Sequence, residues 1–196
     1  FKQKDLKRAR KVFPKLKSVL GHNIIAPTEH LEGEDLFFAT FLREPLKRTA
    51  SHYQDHCLRG NNELPFKQWL KKYPEMHNVQ VKRIAGTADL ALAKKIIREK
   101  YHFVGLTEDF NRSLKLFKVL SPYPLNIDYN RRNKAESDQI KNNVLKEEQE
   151  ALEKANELDL ELYRYVKEEV YPELIEEHAR ELNKIDDPEL LPPDHK

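Results

Sequence analysis

The chain has 196 residues, of which 35% are charged and 9% aromatic, a balance typical of a folded protein rather than a disordered one. No apolar run approaches the length of a membrane span, and no signal-peptide pattern opens the chain. Cys57 is the only cysteine, so an internal disulfide is excluded. This favours a reducing compartment, the cytoplasm; the alternative is the Golgi lumen, if a membrane anchor was removed upstream.

The net charge of +2 is unevenly distributed. Residues 137–196 hold 8 Lys and Arg against 18 Asp and Glu, whereas residues 1–136 hold 27 against 15. The basic part would attract a polyanionic ligand, although basic surfaces of this size also occur on proteins without one.

A chain of this length suits one domain with a sizeable core. We expect this domain to cover residues 1–185, and residues 186–196, with three prolines, to form a loose tail. The chain begins with Phe1 rather than methionine, which predicts a processed or trimmed part of a longer polypeptide.

Residues 2–20 place apolar side chains at helical spacing among lysines and arginines, which predicts a basic amphipathic helix that stops at Gly21. Its basic face is typical of a solvated surface, and we expect no nucleic-acid contact. His22 follows in a loop that also holds His30. An isolated histidine is usually structural, but imidazole also suits a general base because its pKa lies near neutral pH.

Residues 36–42 are almost continuously apolar, which predicts a strand of a parallel sheet covered on both faces. Pro45 suits the first position of a helix, and the apolar spacing continues to about Leu58. Arg43 therefore lies at the carboxyl end of a strand and just before a helix.

Open α/β sheets bind ligands at this edge. Arg43, with Arg48 and Ser51 in the following helix, supplies guanidinium groups, a hydroxyl and nearby helix amides, which together suit a phosphate. The alternative is that Arg43 pairs with Glu44 and that Ser51 is an ordinary surface residue.

His52 and His56 stand four residues apart, a spacing that can share a metal. The sequence offers no third ligand at a suitable spacing, so we expect no metal site.

The remaining elements follow from apolar periodicity and turn residues. The pattern predicts a short helix at 65–70, a strand or helix at 76–85, a helix at 88–100 and a strand at 102–106. It then predicts a helix capped by Thr107 and running to Leu120, a polar loop at 121–135, and acidic helices from Ser137 with a kink or break at Pro172.

The segment Arg43-Glu-Pro-Leu-Lys-Arg48-Thr-Ala-Ser51-His-Tyr53 resembles the R-x-P-x-x-R-x-x-S-x-Y signature of sulfotransferases that use 3′-phosphoadenosine 5′-phosphosulfate (PAPS). Four further segments resemble, in order, parts of the carbohydrate sulfotransferase branch that includes heparan sulfate 2-O-sulfotransferase. They are Gly21-His22, Asn78 to Gly86, Phe103 to Phe110, and Asn156 to Tyr163.

The resemblance implies an α/β fold, with a P-loop-nucleotide-hydrolase-like parallel sheet flanked by helices and a helix-rich C-terminal half. It implies a metal-free transfer of a sulfuryl group from PAPS to an acceptor hydroxyl on a carbohydrate, with 3′-phosphoadenosine 5′-phosphate (PAP) as product. It also favours a helix over a strand at 76–85.

The resemblance further implies residue roles. Arg43 and Ser51 hold the 3′-phosphate, with Arg48 beside them, and His22 is the general base, with His30 in reserve near the acceptor. The acceptor cleft is bordered by Asn78, Gln80 and Arg83, and a basic loop with Arg131 and Arg132 closes over the nucleotide or contacts the acceptor. A solvated surface loop is the alternative for the last two residues.

One feature of the family is missing. Its members bind the 5′-phosphosulfate with a glycine-rich loop, but the five glycines of this chain stand too far apart to form one, and we expect that segment upstream of Phe1. A non-catalytic binding module of the same fold, or another nucleotide-dependent phosphate-transfer enzyme, therefore stays open. The acceptor alternatives that stay open are a uronic-acid polysaccharide, another sugar and a small-molecule alcohol.

Overall fold

A computed structural model of the chain describes residues 3–16, 18–19, 21, 36–60, 63–127 and 138–186. Within these ranges the chain is mostly helical around one small sheet. The helices are Gln3–Val12 (α1), Pro45–Leu58 (α2), Phe66–Lys72 (α3), Val79–Ala85 (α4), Leu90–Lys100 (α5), Phe110–Leu120 (α6), Gln139–Glu147 (α7), Gln149–Ala155 (α8), Glu157–Tyr165 (α9), Tyr171–Glu177 (α10) and Ala179–Asp186 (α11), and the strands are Phe38–Leu42 (β1) and Tyr101–Leu106 (β2).

The two strands pair in parallel, with Leu42 opposite Leu106 and Phe41 opposite Gly105. A side chain at Gly105 would not fit, because its Cβ would lie 2.6 Å from the Phe103 ring and 2.7 Å from the Phe41 ring. Parallel pairing brings the carboxyl ends of both strands, and the turns that follow them, to the same edge of the sheet.

Two apolar clusters hold the helices in place. One covers the sheet and joins it to α5, α6 and α9, with the fully buried Phe103, Leu116 and Leu162 at its centre. The other is aromatic and joins α2 and α3 to α7 and α8 around Trp69, which is 1% exposed. The helix α2 belongs to the second cluster and begins at Pro45, just after the end of β1.

The predicted parallel strands and the helix beginning at Pro45 are confirmed. The helix predicted within 76–85 is confirmed as α4, and the helix-rich C-terminal part as α7 to α11. Pro172 is predicted to cause a kink or break. The chain stays helical here, and the irregularity is a π-helical turn at Val166–Val170, between α9 and α10. A proline explains this turn because it cannot donate to the preceding helical carbonyl groups.

Three sequence predictions are wrong in detail. The strand at 36–42 is not covered on both faces, because Leu42 alone is buried among the five residues of β1. The first helix does not run from 2 to 20, because α1 ends at Val12, where Pro14 disfavours helical geometry at the preceding residue. Thr107 does not cap α6, because Thr107–Asp109 forms a 3₁₀ turn and α6 begins at Phe110.

The parallel sheet with flanking helices agrees with an α/β class, while the P-loop-like arrangement stays a prediction. None of the described helices is both long and apolar enough to cross a membrane. Of the tail predicted at 186–196, Asp186 is instead the last residue of α11, and residues 187–196 lie outside the described residues.

Candidate phosphate-binding site

The turn between β1 and α2 consists of Arg43 and Glu44. Glu44 is the N-cap of α2, and its carboxylate accepts hydrogen bonds from the backbone N–H groups of Leu46, at 3.1 Å, and Lys47, at 2.7 Å. Pro45 occupies the first helical position, where a missing N–H costs nothing. The Glu44 carboxylate is thus used to cap the helix, and the Arg43–Glu44 ion pair considered from the sequence is not found.

Side chains from two distant segments hold the backbone of this turn. Arg43 N–H donates to Gln80 Oε1, and Gln80 Nε2 donates to the Arg43 carbonyl, both at 2.9 Å. Glu44 N–H donates to Glu108 Oε1 at 3.0 Å, and the other carboxylate oxygen of Glu108 accepts from the Tyr163 hydroxyl at 3.0 Å. The turn is therefore tied to α4, to the turn after β2 and to α9.

The helices α4 and α9 begin side by side and cap each other. Asp159, fully buried, accepts from the N–H groups of Gln80 at 3.0 Å and Val81 at 2.8 Å. In return, Asn78 Oδ1 accepts from the N–H of Leu158 at 2.9 Å. Asn78 has φ 49° and ψ 48°, a left-handed conformation that asparagine tolerates better than most residues.

A further buried polar contact connects α2 to this region. The Thr49 hydroxyl donates to Asn156 Oδ1 at 2.8 Å, and Asn156 Nδ2 donates to the Leu152 carbonyl at 2.8 Å. Both Thr49 and Asn156 are fully buried. The position of α2 relative to α8 and α9 is therefore fixed by hydrogen bonds as well as by packing.

Two neighbouring guanidinium groups, those of Arg83 and Arg43, act on Arg48 at this site. Burial, and then the positive charge of Arg83, lower the pKa of Arg48 to about 10; Arg43 acts in the same direction and Asp159 in the opposite one. Burial also raises the pKa of Asp159, against the effect of its backbone hydrogen bonds and of Arg48. Arg48 still carries its charge at neutral pH, in surroundings that disfavour a cation, so an anion bound there would gain an electrostatic stabilisation.

Ser51 and His52 lie three and four residues after Arg48, so they share a face of α2 with it. The Ser51 side chain is half-buried and that of His52 is exposed. Partial burial, followed by the charge of Arg48, lowers the pKa of His52. The face therefore presents a guanidinium, a hydroxyl and a neutral imidazole, a set able to bind an oxyanion.

A depression of about 390 Å³ opens beside the turn, at the carboxyl edge of the sheet. Glu44 and Lys47 line it on the α2 side, and Glu108, Tyr163 and Tyr171 line it on the other. Burial and the neighbouring Glu108 raise the pKa of the Tyr163 hydroxyl. The depression is therefore lined by carboxylate, ammonium and phenol groups, which suit a hydroxyl-rich polar ligand rather than an apolar one.

The structure thus brings together Arg43, Arg48, Arg83, Asn78 and Gln80 from the residues predicted for the site. Gln80 faces the backbone of Arg43, and Asn78 faces the start of α9. The predicted residues His22, His30, Arg131 and Arg132 lie outside the described residues.

Sequence reasoning gave no role to Glu108 or Asp159, although both fall in segments that carry the resemblance. A usable signal existed for Asp159, because it stands in an otherwise apolar helical stripe with Leu162 and Val166. A carboxylate in that position has to be paired or to cap a helix. The role of Glu108 depends on the pairing of β1 with β2, so the residues around it in the sequence do not indicate this role.

The chain matches no protein-family model, no curated protein and no solved structure. Among the described residues, no group of three or more His, Cys, Asp and Glu side chains could hold a metal ion. In place of a metal contact, His56 Nδ1 accepts a hydrogen bond from Trp69 Nε1 at 2.8 Å.

Proposed function

We propose that this chain binds the 3′-phosphate of PAPS at Arg43, Arg48 and Ser51, and that it takes part in sulfuryl transfer to a carbohydrate hydroxyl. The observation that carries the proposal is the set of three guanidinium groups at the carboxyl end of β1, one of them largely desolvated. Within the described residues, the Arg43 guanidinium has no hydrogen bond, and the one recorded for Arg48 is a long contact of 3.5 Å to Thr49 Oγ1. Their charges therefore remain available to a ligand.

The chemistry of the donor set fits a phosphate. A guanidinium can bind two phosphate oxygens through parallel N–H bonds, and a serine hydroxyl can donate to a third. The start of α2 adds its positive end, although Glu44 already uses two of its N–H groups. The residues present accordingly fit the ribose-bound phosphate of the nucleotide.

Bound PAPS supplies a sulfuryl group on a good leaving phosphate. In the proposed reaction His22 takes the proton of the acceptor hydroxyl, and the acceptor oxygen forms a bond to sulfur while the bond from sulfur to the phosphate oxygen breaks. In this proposal the cations Arg43, Arg48, Arg131 and Arg132 hold the nucleotide and offset its negative charge. The depression beside Glu44 is the proposed place for the carbohydrate.

A second candidate is a module that binds the nucleotide without turnover. The wide spacing of the five glycines favours it, because none can form a phosphosulfate loop within these 196 residues. A product assay over a panel of saccharides with PAPS separates the two candidates when it uses this chain together with any residues encoded before Phe1. Both candidates bind nucleotide, and only the enzyme yields a sulfated sugar.

The binding step is tested by calorimetric titration of the chain with PAP, AMP and ATP. PAP differs from AMP by the 3′-phosphate alone, and we expect it to bind about 100-fold more tightly, as charge-assisted bidentate contacts allow. ATP should bind less tightly than PAP. Equal affinity for PAP and AMP, or a preference for ATP, would contradict the proposal, and the latter would favour a phosphate-transfer enzyme.

A further inference from the structure

Gln80 is a buried residue whose amide faces the protein backbone. Its side chain is 6% exposed, and both of its polar atoms contact Arg43, one on the N–H and one on the carbonyl. With Oε1 and Nε2 each bound at 2.9 Å, the amide is satisfied inside the protein. This arrangement differs from that of a residue that contacts an acceptor, the role implied by the sequence resemblance.

Gln80 is itself held rigidly. Its own N–H donates to Asp159 Oδ2, and the preceding turn is fixed because Asn78 N–H donates to the Ala155 carbonyl at 2.9 Å. A continuous series of hydrogen bonds therefore runs from the start of α9, through Gln80, to Arg43. A side chain supported in this way can impose its geometry on the backbone that it contacts.

Arg43 is constrained on both sides as well. Leu42 before it is paired with Leu106 in the sheet, and Pro45 follows two residues later with a fixed φ. The two bonds from Gln80 fix the peptide groups between these points, so that the Cα–Cβ direction of Arg43 is set before any ligand binds. Ligand binding then has to order only the side-chain rotamers, which reduces its entropic cost.

We propose that Gln80 is a positioning residue, which sets the affinity for the 3′-phosphate by fixing the backbone of Arg43. This inference rests on the proposed function, because it assigns Gln80 to the phosphate end of the nucleotide rather than to the acceptor. It predicts that loss of the Gln80 amide affects ligands that carry a 3′-phosphate and spares those that lack one.

The test compares Gln80→Met with Gln54→Met. Gln54 is a matched control, because it is also buried and its Oε1 accepts a backbone N–H, that of Lys141, at 2.9 Å, away from Arg43. We expect both variants to melt at lower temperature, since each leaves a part-buried N–H without its partner. Gln80→Met alone should bind PAP about tenfold more weakly, with AMP affinity unchanged, because a misplaced contact group loses much of its effect.

Amide hydrogen exchange supplies a readout that does not depend on nucleotide binding. The Arg43 N–H should exchange faster in Gln80→Met than in the wild type and should be unchanged in Gln54→Met. If Gln80→Met does not fold, Gln80→Asn replaces it, because that amide is one methylene shorter and cannot reach both Arg43 groups.

The outcomes separate the two proposals. A wild-type chain that does not distinguish PAP from AMP overturns the proposed function and this role together. A wild-type chain that prefers PAP, with PAP affinity or Arg43 exchange unchanged in the Gln80 variant, overturns the role of Gln80 alone.

Discussion

The two strand-to-helix turns at the carboxyl edge of the sheet share a topology and use their charges differently. The turn after β1 presents Arg43, whose guanidinium has no hydrogen bond among the described residues, next to Arg48 and Arg83. The turn after β2 presents Glu108 and Asp109, whose carboxylates accept the hydroxyls of Tyr163 and Tyr171. The first turn therefore keeps charge available for a ligand, while the second uses its charge to hold the fold.

The difference shows that two turns at the same edge of a sheet can use their charged side chains in different ways. The second turn is needed by the first, because Glu108 also accepts the Glu44 N–H. The turn after β2 therefore stabilises the turn after β1. This difference leads to predictions in which the free energy of unfolding and the affinity for PAP change separately.

The largest effect on stability is expected at Asp159, which holds the start of α4 and so supports the first turn indirectly. Asp159→Ala removes the acceptor of two buried N–H groups and a negative charge close to Arg48. We expect the free energy of unfolding to fall by about 3 kcal/mol. Urea denaturation followed by circular dichroism measures it.

Glu161 on the same helix is the control for this variant. It forms an exposed ion pair with Arg164 at 2.9 Å, so Glu161→Ala should cost no more than about 0.5 kcal/mol. If Asp159→Ala lowers the free energy of unfolding by as little as Glu161→Ala does, the carboxylate of Asp159 does not stabilise the start of α4.

A smaller effect is expected in the second turn. The Tyr171 hydroxyl donates to Asp109 Oδ2 at 3.0 Å and lies 3.2 Å from Ser113 Oγ, while burial raises its pKa to about 12. Tyr171→Phe should lower the free energy of unfolding by about 1 kcal/mol and leave PAP affinity unchanged, because this contact does not touch Arg43.

Tyr165→Phe is the comparison for that variant, since the recorded contact of Tyr165 is between its ring and the Lys94 ammonium, 4.9 Å away. It should change neither quantity. A fall in PAP affinity for Tyr171→Phe would contradict the claim that the turn after β2 affects stability alone.

Local signals predicted the part of the fold that carries the site. The apolar run ending at Leu42, followed by Pro45, located both the strand and the start of α2, because strand burial and the proline φ are properties of neighbouring residues. Pro14 is such a local signal as well. It limits the first helix, which ends at Val12 although the amphipathic spacing continues to residue 20.

The contacts that build the site were beyond the reach of such signals. Gln80 and Arg43 are 37 residues apart, and Glu108 and Glu44 are 64 apart, so their hydrogen bonds depend on which elements pack together. The sequence motif singled out Gln80 and assigned it to the acceptor. A motif gives the type of a residue but not the direction in which its side chain points.

The most direct test of the account is the affinity of Arg43→Ala for PAP and AMP. The backbone groups that Gln80 binds remain in this variant, so its melting temperature should stay close to that of the wild type. We predict that its PAP affinity falls about 100-fold to the level of AMP. Arg59→Ala, at the far end of α2 in an exposed ion pair with Asp55, should bind PAP as the wild type does. An Arg43→Ala chain that keeps its preference for PAP over AMP would contradict the claim that this turn holds the 3′-phosphate.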